Sequence, residues 1–162
     1  MSVTRVYSEK KYVGAGIILV HLTATGAPRY LMLKGSRSGI WSFSKGHPEI
    51  IDRGSPLRTA VRETEEETGY VNGRDYHIIG DAIRFGKRPY WLGIVTADVP
   101  PAMKLSRTEH TEAAWMSRDE VANLDSNTDV RAWAKKAAVP SNFTRLLNLV
   151  REQGTETMIA HC

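Results

Sequence analysis

The order of apolar segments predicts an α/β fold, a sandwich of helices on a mixed β-sheet. Three observations carry this reading. Short β-branched or aromatic runs alternate with helical stretches along the chain. A helix in the middle is bracketed by its own start and stop signals, Ser55-Pro56 and Gly69. A second amphipathic helix, 141–153, carries Phe143, Leu146, Leu147 and Val150 on one face.

Taken in order, residues 12–22 are β-branched and apolar and read as a buried strand. Thr25-Gly26-Ala27-Pro28 is a turn signal, after which 30–33 pairs back on the first strand. Residues 35–39 read as a loop. Trp41 and Phe43 alternate with Ser42 and Ser44, the period of a short strand, and 45–54 reads as irregular. Serine is a good N-cap and proline suits the first helical position, so the central helix starts at 55 and runs to Thr68. Gly69 is a natural terminator. Residues 76–79, 90–95 and 113–116 are further strands, with Pro100-Pro101 breaking the chain between the last two. Ser117, with Glu120 three residues on, opens a short helix to Leu124. Residues 131–138 have helical character, and the last eight residues read as frayed.

A chain of 162 residues suits one domain spanning 1–162, long enough to bury a core. The chemistry-bearing part is expected at about 12–124. Hydrophobic residues make up 41% and charged residues 25%, as in ordinary soluble proteins. No apolar run approaches the ~20 residues that a membrane helix needs. The N-terminus lacks the apolar stretch of a signal peptide, and the single cysteine, Cys162, allows no intrachain disulfide. Both features suit a cytoplasmic protein.

The net charge of +4 and pI of about 9.3 favour anionic partners, and the distribution says more than the total. Residues 23–48 contain Arg29, Lys34, Arg37 and Lys45 and no acid, and 84–90 contain Arg84, Lys87 and Arg88 and no acid. Between them lies the acidic run 63–67. Basic walls around an acidic patch are what a metal-bridged polyphosphate site requires.

On a helical wheel at about 100° per residue, Leu57, Val61, Thr64 and Thr68 share one narrow face, with Ala60 at its edge. This is the expected core stripe. Glu63, Glu66 and Glu67 lie together beside it, at i, i+3 and i+4, so their carboxylates are neighbours. Like charges at that spacing cost about 0.2–0.5 kcal/mol per pair in an isolated helix. A divalent cation removes the cost, since clustered carboxylates are the oxygen ligands that Mg²⁺ or Mn²⁺ prefers. A Glu-rich helix can also be a solvated acidic face. Here the run stops at Gly69 and follows a glycine-containing loop bearing Lys45, which favours the metal reading.

The segment Arg62-Glu63-Thr64-Glu65-Glu66-Glu67-Thr68-Gly69-Tyr70 resembles the second half of the Nudix box, G-x5-E-x7-R-E-U-x-E-E-x-G-U, where U is a bulky aliphatic residue. Every charged position and the glycine are present; Thr64 and Tyr70 are imperfect U residues. Trp41-Ser42-Phe43-Ser44-Lys45-Gly46-His47 is similar to the W-x-x-P-K-G-H stretch of several Nudix subfamilies, with Ser44 in place of proline. Gly46 to Arg62 is two residues longer than the box allows, which reads as a loop insertion. Counting back from Arg62 puts Gly54 where the first glutamate belongs, and counting forward from Gly46 puts Asp52 there. Asp52 and Glu49 are the two candidates to replace it. The resemblance spans roughly 13–124 and implies a Nudix-type α/β/α sandwich and a hydrolase that cleaves phosphoanhydride bonds.

The resemblance also implies roles. Glu63, Glu66 and Glu67, with the carbonyl of Gly46, would hold Mg²⁺ or Mn²⁺, while Arg62 would steady a glutamate and Gly69 end the helix. The base that deprotonates the attacking water would be Glu66 or Glu109. Glu109 sits in Glu109-His110-Thr111-Glu112-Ala113-Ala114-Trp115, which resembles the E-H-x-x-x-x-W segment of diadenosine tetraphosphate hydrolases. His110 reads as a loop residue, and Trp115 as core. RNA 5′-pyrophosphohydrolases have a similar glutamate six residues before a tryptophan. Lys45, Arg37 and Arg88 are candidates to grip phosphates as charge-assisted donors. Tyr90 is another, because Arg88-Pro89-Tyr90-Trp91-Leu92 resembles a phosphate-proximal strand of those hydrolases; it is as readily a core aromatic. Trp41 and Phe43 could stack on a base or simply pack. Those hydrolases usually carry an adenine-stacking aromatic where Ala113 stands.

Three functions remain open at this point. The first is hydrolysis of dinucleoside polyphosphates or related nucleotides, with sanitation of damaged triphosphates as a variant. The second is decapping or pyrophosphate removal at an RNA 5′ end, which the basic clusters allow. The third is a catalytically inactive nucleotide-binding module, for which the altered first half of the box is the argument.

Overall fold

The first strand has partners along both edges, and the sheet is built around it. The computed structural model describes residues 12–23, 26–137, 148 and 152. Strand β1 (Ala15–His21) pairs parallel along its whole length with β6 (Arg88–Val95), whose other edge takes β5 (His77–Phe85) antiparallel. The opposite edge of β1 splits. Its end pairs with β2 (Arg29–Gly35) at Val20 and His21, and its start pairs with the short β4 (Ser44–Gly46). Strand β2 continues the sheet outward to β3 (Trp41–Ser42) and β7 (His110–Met116). One parallel pair among antiparallel ones makes the sheet mixed, as expected.

Alternation along β1 divides its side chains between two cores. Ala15, Ile17 and Leu19 join Leu31, Leu33, Tyr70, Tyr76 and Ala60 of helix α1 (Pro56–Thr68) on one face. Ile18 and Val20 join Met32, Tyr90, Leu92 and Ile94 on the other. That second face is covered by α2 (Arg118–Ala122) through Val121 and by α3 (Thr128–Ala137) through Val130 and Trp133. The result is a three-layer α/β/α sandwich.

Local signals held at the helix ends. Ser55 accepts from the Arg58 N–H, Pro56 is the first helical residue, and Gly69 takes φ 80° with its N–H on the Glu65 carbonyl. Ser117 and Glu120 form the reciprocal capping box, and the helix they open is short, ending at Ala122. Strands β5 and β7 extend beyond the expected 76–79 and 113–116. The extension of β5 crosses a register shift between Ile79 and Ile83, which breaks the simple alternation by which strands are read.

One expectation needs correction. The buried residues of α1 are Thr59, Ala60, Glu63, Thr64, Glu67 and Thr68; Leu57 is 38% exposed and Val61 half-buried. The inward face is therefore rotated toward the acids: Ala60 packs on the apolar residues of β1, while over β4 the Ser44 and Thr64 hydroxyls meet at 2.9 Å. The segment past Leu124 is also part of the core. Helix α3 begins at Thr128, and fully buried Trp133 packs edge-on against Tyr30 and Phe43, with ring centroids 4.9 and 5.6 Å away.

The expected helix 141–153 and the frayed end lie outside the described residues, apart from positions 148 and 152, both helical and exposed. Among the described residues no helix is long and apolar enough to cross a membrane. Trp133→Ala should lower the unfolding free energy by about 3–5 kcal/mol, the usual cost of emptying a large aromatic site, measured by urea denaturation.

Candidate active site

Helix α1 lies against β4, and the chemistry gathers at that contact. Gly46 ends β4 so close to Glu63 that a Cβ there would stand 2.0 Å from the glutamate's carboxyl carbon. Only glycine fits. Glu67, one turn on, is 4% exposed and accepts from the Ser44 hydroxyl at 2.9 Å and the Lys45 N–H at 3.1 Å. Beside it stands the start of β7. His110 is buried, with its Nε2 3.7 Å from Glu67, and Glu109 precedes it.

These residues line an open cleft of about 640 Å³. Arg37, Lys45 and Arg88 bring positive charge to it, Glu63, Glu67 and Glu109 bring negative charge, and Gly46, Ser42 and Asn127 complete the lining. Five of the strands, helix α1, the loop after β2 and the approach to α3 thus converge on one place.

The loop between Gly46 and α1 is held by Arg62. Its Nε and Nη2 donate to the two carboxyl oxygens of Asp52 at 2.8 and 2.9 Å, and Nη2 also donates to the His47 carbonyl at 2.9 Å. Nη1 donates to Glu63 at 3.2 Å and to Glu66 at 3.1 Å. The two additional loop residues are taken up by a 3₁₀ turn, Ile50–Asp52, followed by Arg53 at φ 53° and Gly54 at φ 73°. Asp52 also accepts from the Thr59 hydroxyl at 2.6 Å and the Glu49 N–H at 2.9 Å. Of the two candidates for the missing glutamate, Asp52 is the one that makes the buried contact with Arg62; Glu49 reaches it only at 3.6 Å, with its side chain 59% exposed.

Charge is balanced unevenly here. The Arg62 hydrogen bond holds the Asp52 carboxyl down at about 2, with Thr59 and the Glu49 N–H assisting against burial. Burial pushes Glu63 up to about 7; Arg62 opposes the rise, while Glu66 and Glu109 add to it. Burial pushes Glu67 up to about 8, offset in part by the Ser44 hydroxyl and raised further by Glu63. Burial thus raises both carboxyls toward neutrality despite the donors around them. A divalent cation supplies a counter-charge, so the donor set fits one. Among the described residues no three acidic or imidazole side chains yet stand together as ligands, because the Arg62 guanidinium occupies the space between Glu63 and Glu66.

The NUDIX domain family matches residues 11–137. The chain belongs to the Nudix family. It is 35% identical over 116 residues to an asymmetrical bis(5′-nucleosyl)-tetraphosphatase of Sus scrofa, covering 65% of this chain and 76% of that protein. A C. elegans Ap4A hydrolase structure superposes with a TM-score of 0.60 at 20% identity, covering 77% of this chain and 98% of that one. A Nudix hydrolase from M. smegmatis gives a TM-score of 0.59 at 20% identity, covering 81% and 89%. The chain is a Nudix pyrophosphohydrolase by family and by its tetraphosphatase relative.

The sequence-derived residues divide into two groups. Gly46, Lys45, Arg37, Arg88, Glu63, Glu67 and Glu109 meet in the cleft. Glu66 does not: its side chain is 52% exposed and lines a neighbouring groove with Leu57, Val61 and Arg62. Tyr90 and Phe43 are core residues, each 1% exposed, with rings 5.7 Å apart, and neither reaches the cleft. Trp41 is half-buried against the same core and does not line the cleft. His110 is the buried first residue of β7 rather than a loop residue. Ala113 packs against the core beneath α1, while Trp115 is only partly buried there. Ser44, Asn127 and Asp129 had no functional role assigned from the sequence. Ser44 stands in the motif only as the replacement for a proline; the other two lie where the motif resemblance ends.

Both charge effects can be measured. Asp52 has its folded value below the unfolded 3.8, so its stabilisation is complete above about pH 4 and is lost as the pH falls through about 2. Asp52→Asn should reduce stability by about 2 kcal/mol at pH 6. The gap should close by pH 2, followed by denaturant titration at each pH. Glu67 has its folded value raised, so the stability tied to its proton is present below about pH 4.5 and lost as the pH rises through about 8. In EDTA at pH 9, Glu67→Gln should melt above the parent protein, and at pH 4 the two should coincide.

Proposed function

We propose that this Nudix enzyme hydrolyses a phosphoanhydride bond in dinucleoside polyphosphates or closely related nucleotides, with Mg²⁺ or Mn²⁺ as its cation. The observation that carries the reading is a pair of buried, under-compensated carboxylates, Glu63 and Glu67, in one cleft with Lys45, Arg37 and Arg88. A nucleotide's phosphate chain supplies the anion for the basic wall. The Sus scrofa relative, a tetraphosphatase, points to the class of chain.

Glu63 and Glu67 would hold the cation, with Glu66 and the Gly46 carbonyl completing the protein's share. Glu66 must leave Arg62 to do so. The cation supplies neutralisation of the diphosphate and a bound water of lowered pKa. Lys45, Arg37 and Arg88 orient the phosphates by charge-assisted hydrogen bonds. Glu109, which lines the same cleft, would accept the proton of the attacking water; Glu66 is the second candidate. Arg62, through Asp52 and the His47 carbonyl, keeps the loop carrying Gly46 in register with the helix carrying the acids. Among the described residues the cleft is lined by no Phe, Tyr or Trp, so substrate affinity rests on phosphates more than on base stacking.

The test is turnover with Mg²⁺ or Mn²⁺ on diadenosine tetraphosphate, ADP-ribose, nucleoside triphosphates, capped RNA and triphosphorylated RNA. Diadenosine tetraphosphate should be cleaved to a mononucleotide and a longer nucleotide. Whichever of Glu66→Gln and Glu109→Gln removes the base should lose about 10²–10⁴-fold in kcat. Preference for capped RNA would move the assignment to decapping. No turnover on any substrate with either metal would overturn the enzymatic reading in favour of a binding module.

A further inference from the structure

Arg88 lines the cleft beside the acids, and a residue outside the motif holds it there. Asp129, in the first turn of α3, has no solvent exposure. A carboxylate so placed needs partners, because an unpaired buried charge is strongly destabilising. It accepts from Arg88 Nη1 at 2.9 Å, from the Tyr90 hydroxyl at 2.5 Å and from the Lys87 N–H at 3.4 Å. The hairpin between β5 and β6 is folded onto it: Gly86 sits at φ 64°, and a Cβ there would stand 2.3 Å from Asp129 Oδ1. Burial, with the neighbouring Asp129 charge, pushes the Tyr90 hydroxyl far above its usual value, so it remains a donor.

The guanidinium lies close to the backbone on a second side. Its Nε is buried with no hydrogen-bond partner among the described residues, and a Cβ on Gly14 would stand 3.0 Å from it. That same Cβ would stand 2.5 Å from the Gly46 carbonyl. Gly14 thus leaves the room in which Arg88 and Gly46 approach one another. Arg88 lines the cleft with Lys45, Glu63 and Glu67, yet spends only Nη1 on Asp129. An arginine needed only to neutralise a buried acid has no reason to border the carboxylate site.

We propose that Asp129 is a positioning residue for substrate: it fixes the Arg88 guanidinium so that its remaining donors meet a phosphate of the polyphosphate chain, with Tyr90 setting the carboxylate's orientation. The proposal rests on reading the cleft as a polyphosphate site. It assigns a task to the segment 125–137, which the motif resemblance leaves without one.

The experiment is calorimetric binding of inorganic tripolyphosphate in EDTA, alongside steady-state hydrolysis of diadenosine tetraphosphate with Mg²⁺. Asp129→Asn should raise the Kd about tenfold, the value of one charge-assisted hydrogen bond, and raise KM more than it lowers kcat. In an Arg88→Ala background the same substitution should weaken binding no further. Arg88→Lys keeps the charge beside Asp129 but loses the fork, and should show a similar rise even if Asp129→Asn fails to fold. Wild-type Kd in Asp129→Asn or Arg88→Lys, additive effects in the double variant, or no tripolyphosphate binding by the parent protein would each overturn the proposal. Tight tripolyphosphate binding without turnover of any nucleotide would instead overturn the hydrolase reading and leave this one standing.

Discussion

The Arg62 guanidinium is the contact on which the arrangement of the site depends. With its side chain only 16% exposed, it serves both oxygens of a buried aspartate, a loop carbonyl and two glutamates of its own helix. Without it, Asp52 would be a buried charge without a cation, and Glu63 and Glu66 would face each other one turn apart with no charge between them. Because one rigid, planar group meets all of these acceptors, the loop after Gly46 and the start of α1 have a single relative placement. That placement puts the Gly46 backbone against the Glu63 carboxyl, and so the site inherits its geometry from an ion-pair network that lies beside it.

A second constraint follows from what α1 carries inward. Through Ala60 the helix packs on the apolar residues of β1 and β2, but its acidic side meets β4, where the Ser44 hydroxyl serves Thr64 and Glu67 and Gly46 leaves room for Glu63. Small and hydroxylated residues let a carboxylate sit 4% exposed with two donors and still border an open cleft. The raised values of Glu63 and Glu67 show what this arrangement costs in the absence of a counter-ion. Function is served at the expense of local stability, which the two apolar cores on either face of the sheet must carry.

The cleft has two walls of different construction. The acidic wall comes from one short stretch of helix and the strand beneath it. The basic wall is assembled from Arg37 after β2, Lys45 in β4 and Arg88 in β6, and the last is anchored by an aspartate 41 residues further on. The same contact closes the hairpin of β5 and β6 against α3, so one buried carboxylate joins the packing of a layer to the shape of the site.

The acidic wall was legible from the sequence alone because its parts are local. Helical spacing places Glu63 and Glu67 one turn apart on one face, the Ser55-Pro56 start and the Gly69 stop bound the helix, and the glycine loop precedes it at short range. The layer order followed from alternation of apolar segments. What the tertiary structure decided is everything that depends on which surface meets which. The inward face of α1 turned toward its acids because β4 presents polar and glycine positions, a fact no wheel contains. Tyr90 and Phe43 went to the core because α3 brought Trp133 over them. Glu66 faced outward because Arg62, fixed by Asp52, drew it there. The anchoring of Arg88 by Asp129 joins residues with no periodic or motif relation, and such a pair becomes visible only when a buried charge must find its partner across the folded chain.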